Sequence, residues 1–177
     1  IFRAEIPLTF AGRTDAGVHA REMYAHMDIN DEVMQREGGW LVFRLNGILP
    51  DSIAIYDILP VTDEAHARFD ATRRTYEYHI VDHKDPFLHT LATRVRPGLD
   101  FDAMNEAAKC LIGRQDFASF CRSNTDVKTT ICDLTRAEWE ILDSGHAVFT
   151  IAADRFLRNM VRAVVGTLFE VGRGKMT

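Results

Sequence analysis

The sequence predicts an α+β fold, a mostly antiparallel mixed sheet with helices packed on one face. Three observations carry that expectation. Residues 74–81 alternate cleanly, with Tyr76, Tyr78 and Ile80 on one face and Thr75, Glu77, His79 and Val81 on the other. Two further alternating runs, 135–142 and 146–153, are joined by Asp143-Ser144-Gly145, a hairpin signal. Leu157, Met160, Val161, Val164, Val165 and Leu168 then form an apolar stripe at helical spacing.

From the N-terminus, residues 8–11 read as a strand running into a glycine-bracketed turn. Residues 20–29 alternate Met23, Ala25, Met27 and Ile29 against Glu22, Tyr24, His26 and Asp28, the pattern of a half-buried strand. Residues 40–48 are apolar enough for a turn or two of buried helix, closed by Leu49-Pro50-Asp51. A strand over 53–59 follows, stopped by Pro60. After the strand at 74–81, residues 83–98 are rich in turn formers (Asp85-Pro86, Pro97-Gly98). They set the expected boundary between an N-terminal lobe, 1–82, and a C-terminal lobe, 83–177. In the second lobe Asp100 stands where an N-cap belongs, before Met104, Ala107, Ala108 and Leu111 at helical spacing, with Gly113 as the stop.

Bulk properties narrow the function classes. A chain of 177 residues with 46% hydrophobic and 27% charged residues is composed like a globular protein, not a disordered one. No apolar run approaches the ~20 residues of a membrane span. The first residues, which include Arg3 and Glu5, hold no apolar signal core, so a cytoplasmic protein with no membrane partner is expected. Three cysteines without a Cys-x-x-Cys pair argue for reduced thiols, and the seven histidines show no metal-ligand spacing, so no metal is expected. The net charge of −5 runs against a generally basic footprint for nucleic acid. Local clusters run the other way: Arg68, Arg73 and Arg74 in one place, Arg155, Arg158 and Arg162 in another. A basic groove on an acidic protein is compatible with both facts.

The most informative stretch is Gly12-Arg13-Thr14-Asp15-Ala16-Gly17-Val18-His19-Ala20. Taken alone, Thr-Asp-Ala-Gly is ordinary turn chemistry. The whole string, however, resembles the signature of the TruA family of tRNA pseudouridine synthases. Further segments resemble the same family in the same order: Leu45-Asn46-Gly47-Ile48-Leu49-Pro50, then His66-Ala67-Arg68-Phe69 through Arg73-Arg74 to Tyr76-Glu77-Tyr78. Gly113 to Phe120 with Asp116-Phe117, and Asn159-Met160-Val161-Arg162 followed by Gly166, complete the set. Together the blocks span residues 12–172.

The resemblance implies a pseudouridine synthase-like fold of two related lobes. Family members carry a further strand and helix before the Asp motif and a segment beyond the late helix. The N-terminal lobe here is therefore expected to lack its first strand and helix, and the C-terminal lobe its last segment. The implied activity is isomerisation of uridine to pseudouridine in the anticodon stem-loop of tRNA, at positions 38–40 in this family, by a homodimer. The reaction needs no cofactor, in keeping with the absence of a dinucleotide fingerprint or a phosphate-binding loop from the sequence.

By resemblance Asp15 is the catalytic carboxylate. It serves as nucleophile at C1′ or C6, or as a charge stabilising a ribosyl cation or glycal-like intermediate, and the sequence leaves these routes open. Arg162 is the cation that keeps a water-excluded carboxylate ionised; on physical grounds alone the better reading is a solvated flank residue or a helix-terminal charge. Helical projection places Arg158 and Arg162 along one edge of the apolar stripe, with Arg158 as an RNA contact. Tyr76 is the tyrosine that packs on the target base and takes a proton from the sugar. Tyr78 shares its face, and the Arg73-Arg74-Thr75-Tyr76 spacing favours Tyr76. Arg13 occupies the space left by a flipped-out uridine. Arg68, Arg73 and Arg74 hold tRNA phosphates, although a solvated strand edge accounts for them as well. His19 is read as structural, and Met23 and Met27 as core.

The alternative is a non-catalytic RNA-binding α+β protein, since sheets with exposed aromatics also serve as RNA platforms. A pure binder needs no trio of Asp15, Tyr76 and Arg162. A third, an unrelated acidic α+β protein whose turns imitate the motifs, has to produce every block in order.

Overall fold

The structure is a computed structural model describing residues 1–177 except Arg3, residues 123–127 and Ser144; the side chains of residues 31 and 36–38 also lie outside the description. Ser144 of the expected Asp143-Ser144-Gly145 link is therefore outside the described residues. Two compact units divide the chain, Ile1–Ala71 and Thr72–Thr177. The division falls before the strand at 74–81, not after it. That strand is hydrogen-bonded along its whole length to residues 146–153, so backbone pairing ties it to the C-terminal part of the chain.

In the first unit β1 (Thr9–Phe10) pairs antiparallel with β2 (Ala25–His26). Helices α1 (Asp31–Glu37) and α2 (Leu41–Asn46) follow, separated by a 3-10 turn at Gly38–Trp40. The expected strand over 20–29 is reduced to two residues, and its Met23 is exposed. Helix is present in 40–48, but only Leu41 is buried there; Trp40, Phe43 and Ile48 are exposed. The expected strand over 53–59 does not form. Its backbone polar groups meet a side chain instead of a ladder. The Asn46 amide donates to the Ile55 carbonyl at 2.8 Å and accepts from the Ile55 N–H at 2.7 Å, doing for one residue what a neighbouring strand would do.

The second unit is a five-stranded mixed sheet in the order β4-β3-β7-β6-β5, with helices. Its strands are β3 (Arg74–Val81), β4 (Ala92–Arg94), β5 (Gly113–Asp116), β6 (Ile131–Asp143) and β7 (His146–Ala153). β3 pairs parallel with β4, and the other neighbours are antiparallel. The turn-rich segment 83–98 thus contains a strand. Gly113 at φ 99° opens β5 and does not terminate the helix before it. That helix, α3 (Phe101–Lys109), starts as expected, with the Asp100 carboxylate accepting the Ala103 N–H at 2.9 Å.

β7 lies between β3 and β6, and all but its first residue is buried. Phe149, Ile151 and Ala153 meet the buried side chains of α3 (Met104, Ala108) and of α4 (Met160–Gly172), including Val164, Val165 and Leu168. A bulge between Leu134 and Arg136 lets β6 keep Leu134 and Trp139 buried on either side of it. Trp139 joins the layers: its ring lies 5.8 Å from Phe101, 5.1 Å from Phe149 and 5.9 Å from Phe169. α3 and α4 approach closely at Gly172, where a Cβ would come within 2.4 Å of Met104 Sδ.

α4 begins at Met160, later than the apolar stripe suggests. Leu157 is buried but precedes the helix, and Asn159 takes the left-handed region at φ 66°. Arg158 is therefore off the helix and does not stand one turn before Arg162. Among the described residues no helix is long and apolar enough to cross a membrane.

Candidate active site

The Asp15 motif fills the connection between β1 and β2. Its entry is fixed by the Ala11 N–H donating to the Tyr24 carbonyl at 2.8 Å. Within it the Val18 N–H donates to the Asp15 carbonyl at 3.2 Å, closing a four-residue turn. Gly17 supplies φ 82° at the third position, which side-chain-bearing residues rarely adopt. Asp15, Arg13 and His19 are all exposed on this loop.

The 66–70 segment docks against the same ribbon. His26 of β2 accepts the Ala67 N–H on Nδ1 at 3.0 Å, and its ring meets the His66 ring edge-on at 4.7 Å. The Asp70 carboxylate accepts the His66 N–H at 2.7 Å, and the His66 ring lies 4.2 Å from Phe69. Arg68 is thereby presented, exposed, from a turn pinned to β2. His26 thus ties the turn of Arg68 to β2, the strand that follows the connection carrying Arg13 and Asp15. Sequence reasoning did not single out His26, because its contact reaches across 41 positions of chain.

In the second unit Tyr76 lies on β3 opposite Ile151 of β7 and is half-buried. Its ring meets Phe156 at 5.1 Å with the planes 85° apart, an edge-to-face contact. Tyr78 differs: its hydroxyl accepts from Thr93 Oγ1 at 3.0 Å, which commits it to the β3–β4 edge. Arg74 reaches from the start of β3 to donate to the Asp154 carbonyl at 2.8 Å. The Asp154 carboxylate accepts the backbone N–H groups of Asp133, at 2.8 Å, and Arg155, at 2.7 Å. The Arg158 carbonyl accepts the Arg122 N–H at 3.1 Å. Arg162 follows in the first turn of α4 and is exposed, as are Arg73 and Arg158.

Arg74, Arg122, Arg155, Arg158 and Arg162 thus lie on the segment 154–162 or hydrogen-bond to it. This local gathering of cations stands out in a chain whose net charge is −5. Arg122 joins it through the backbone, a contact the sequence spacing does not signal. Arg68 belongs to the first unit, and Arg73 and Arg74 belong to the second.

Other titratable groups are tuned for structure. Burial pushes the Cys132 thiol up to about 11, with Arg155 only partly opposing it, so it stays protonated and is no nucleophile at neutral pH. The Thr130 hydroxyl and the Ala118 N–H hold Asp116 below the usual carboxylate range. The Ala118 bond, at 2.9 Å, spans the buried Phe117 and meets the first residue of the short 3-10 turn Ala118–Phe120.

Comparison with known proteins adds a second line. A family model described as tRNA pseudouridine synthase matches residues 107–177. The protein named tRNA pseudouridine synthase A of Parabacteroides distasonis is 53% identical over 180 residues, covering 100% of this chain and 69% of the relative. The one of Porphyromonas gingivalis is 51% identical over 178 residues, covering 100% of this chain and 70% of the relative. That of Staphylococcus saprophyticus is 39% identical over 173 residues, covering 97% and 63% respectively.

Proposed function

The chain belongs to the tRNA pseudouridine synthase A family, and from that premise we propose how its residues convert uridine to pseudouridine in tRNA. The observation that carries the reading is sequence identity with enzymes of that name running through the whole chain, not one motif. The enzyme isomerises uridine. The N1–C1′ bond breaks, the base turns, C5 bonds to C1′, the C5 proton leaves and N1 takes a proton.

Asp15 is the essential carboxylate in this reading, acting on C1′ or C6 or stabilising cationic character at the ribose. Its exposure on a tight turn supports the role, since a reacting carboxylate has to reach the substrate. Tyr76 packs on the target base and moves a proton, and Arg162 keeps the carboxylate ionised once water is excluded. Arg13 fills the space the flipped uridine leaves, which offsets part of the unstacking cost. Arg68, Arg73, Arg74 and Arg158 hold tRNA phosphates. Arg74 can do so while bonded to Asp154, because a guanidinium carries five N–H donors.

The proposal extends to the anticodon stem-loop as target, to a homodimer and to a cytoplasmic setting. It also takes the fold as two related lobes with helices on one face of the sheet. Shared contact of Phe101 and Phe169 with Trp139 supports the last point. The test is release of tritium from tRNA transcript labelled with [5-³H]uridine, with wild type beside Asp15→Asn. Release that disappears in Asp15→Asn while tRNA binding persists supports the assignment. Equal release from both overturns the role of Asp15, and binding without release from the wild type points to a non-catalytic RNA binder.

A further inference from the structure

We propose that Phe156 is a positioning residue for Tyr76, setting the plane of the ring on which the target base packs. The proposal rests on the reading of Tyr76 as a catalytic residue. A tyrosine on a strand can place its ring in several χ1 and χ2 rotamers, and its neighbours decide which one is held. Stacking on a base tolerates little of that freedom, because a reacting atom misplaced by about 1 Å can lose roughly 100-fold in rate. Tyr76 packs at the margin of the core, and there the edge-to-face contact with Phe156 at 5.1 Å and 85° limits how its ring can turn.

Phe156 can serve as a wall because its own backbone is clamped on both sides. On the N-terminal side, Arg74 holds the Asp154 carbonyl, and the Asp154 carboxylate ties the Asp133 and Arg155 N–H groups. On the C-terminal side, Leu157 is buried and its carbonyl accepts the Met160 N–H at 3.1 Å, at the threshold of α4. The strand bearing Tyr76 and the segment bearing Phe156 are therefore latched by Arg74, two residues before each ring. Phe156 is half-buried and packs, like Tyr76, against the margin of the core, so a change of its ring reaches Tyr76 directly.

The test compares Phe156→Leu, which keeps apolar bulk without a ring, with Phe156→Tyr, which keeps the ring. Tyr76→Ala is measured in parallel. Each full-length variant is assayed for tritium release from [5-³H]uridine-labelled tRNA transcript, for transcript Kd and for Tm. The Tyr76 ring resonances are followed by NMR in the free protein. Expected is a roughly 10-fold or larger fall in turnover for Phe156→Leu, with transcript Kd within about twofold of wild type, as for a residue acting on turnover and not on binding. Phe156→Tyr restores turnover, and the Tyr76 ring resonances move in the Leu variant only.

If Tyr76→Ala loses turnover but Phe156→Leu keeps it, or loses it only in step with Tm or Kd, the positioning role is overturned and the reading of Tyr76 stands. Unmoved Tyr76 resonances in Phe156→Leu overturn it likewise. Wild-type turnover in Tyr76→Ala, or no release from the wild type, removes the reading of Tyr76 and this proposal with it.

Discussion

The Asn105 side chain of α3 exchanges two hydrogen bonds with the backbone of Trp139 in β6, accepting its N–H at 2.7 Å and donating to its carbonyl at 3.1 Å. β5 pairs only with residues 131–134 of β6, so at Trp139 this edge has no strand partner among the described residues. An amide from the overlying helix takes the place of that partner and fixes α3 on the sheet. Asn105→Ala should cost about 2 kcal/mol, from two part-buried backbone groups left without a protein partner. Urea unfolding checks this; a change in midpoint too small to resolve would mean that water replaces the amide at no cost.

Gly172 carries a second packing demand. Its carbonyl accepts the Asp100 N–H at 2.9 Å, and an added Cβ would meet Met104 at both Sδ and Cγ. Met104 is fully buried and cannot swing into solvent. Gly172→Ala should therefore destabilise the second unit by about 1–3 kcal/mol through overpacking, despite alanine's better helix propensity. Thermal unfolding that shows a gain in stability would mean that α3 and α4 can separate freely.

These contacts mark where sequence reasoning succeeds. β3 and β7 were legible to the residue because each is an uninterrupted alternating run, the second of them marked by the turn residues before it. The run at 53–59 is also rich in strand formers, but its Ile55 pairs with the Asn46 side chain, which no periodicity announces. The stripe from Leu157 to Leu168 is apolar throughout, so it hides the left-handed Asn159 that starts the helix late. At the candidate site the motif blocks marked Asp15, Tyr76 and Arg162 by resemblance. The supports around them were not legible. His26 to Ala67 and Tyr76 to Phe156 are contacts between residues far apart in the chain, made by folding and absent from local pattern.

The arginines separate into two kinds, and salt dependence distinguishes them. Arg73→Ala and Arg158→Ala should each weaken tRNA binding and lower the slope of log K against log salt by about one unit or less, as loss of a phosphate contact does. Their unfolding midpoints should stay near wild type, because both side chains are exposed. Arg74→Ala should also lose about 1 kcal/mol of stability, since it gives up the bond to the Asp154 carbonyl. An unchanged salt slope in all three variants would place the tRNA elsewhere on the protein.

Cys132 gives an alkaline signature with a definite sign. Its folded thiol is pushed from 9.0 up to about 11 by burial against Leu134 and the surrounding core. Between roughly those two values the unfolded chain releases the thiol proton while the folded chain keeps it. The unfolded state then binds fewer protons, so the slope of unfolding free energy with pH is negative there. The contribution is fully present below pH 9 and is lost as pH rises toward 11. Cys132→Ala should flatten this part of the profile, although it lowers stability at neutral pH by leaving a small cavity. Iodoacetamide at neutral pH should modify the exposed Cys110 well before Cys132. Equal labelling of the two, or an alkaline limb that survives Cys132→Ala unchanged, would assign the pH dependence to another group.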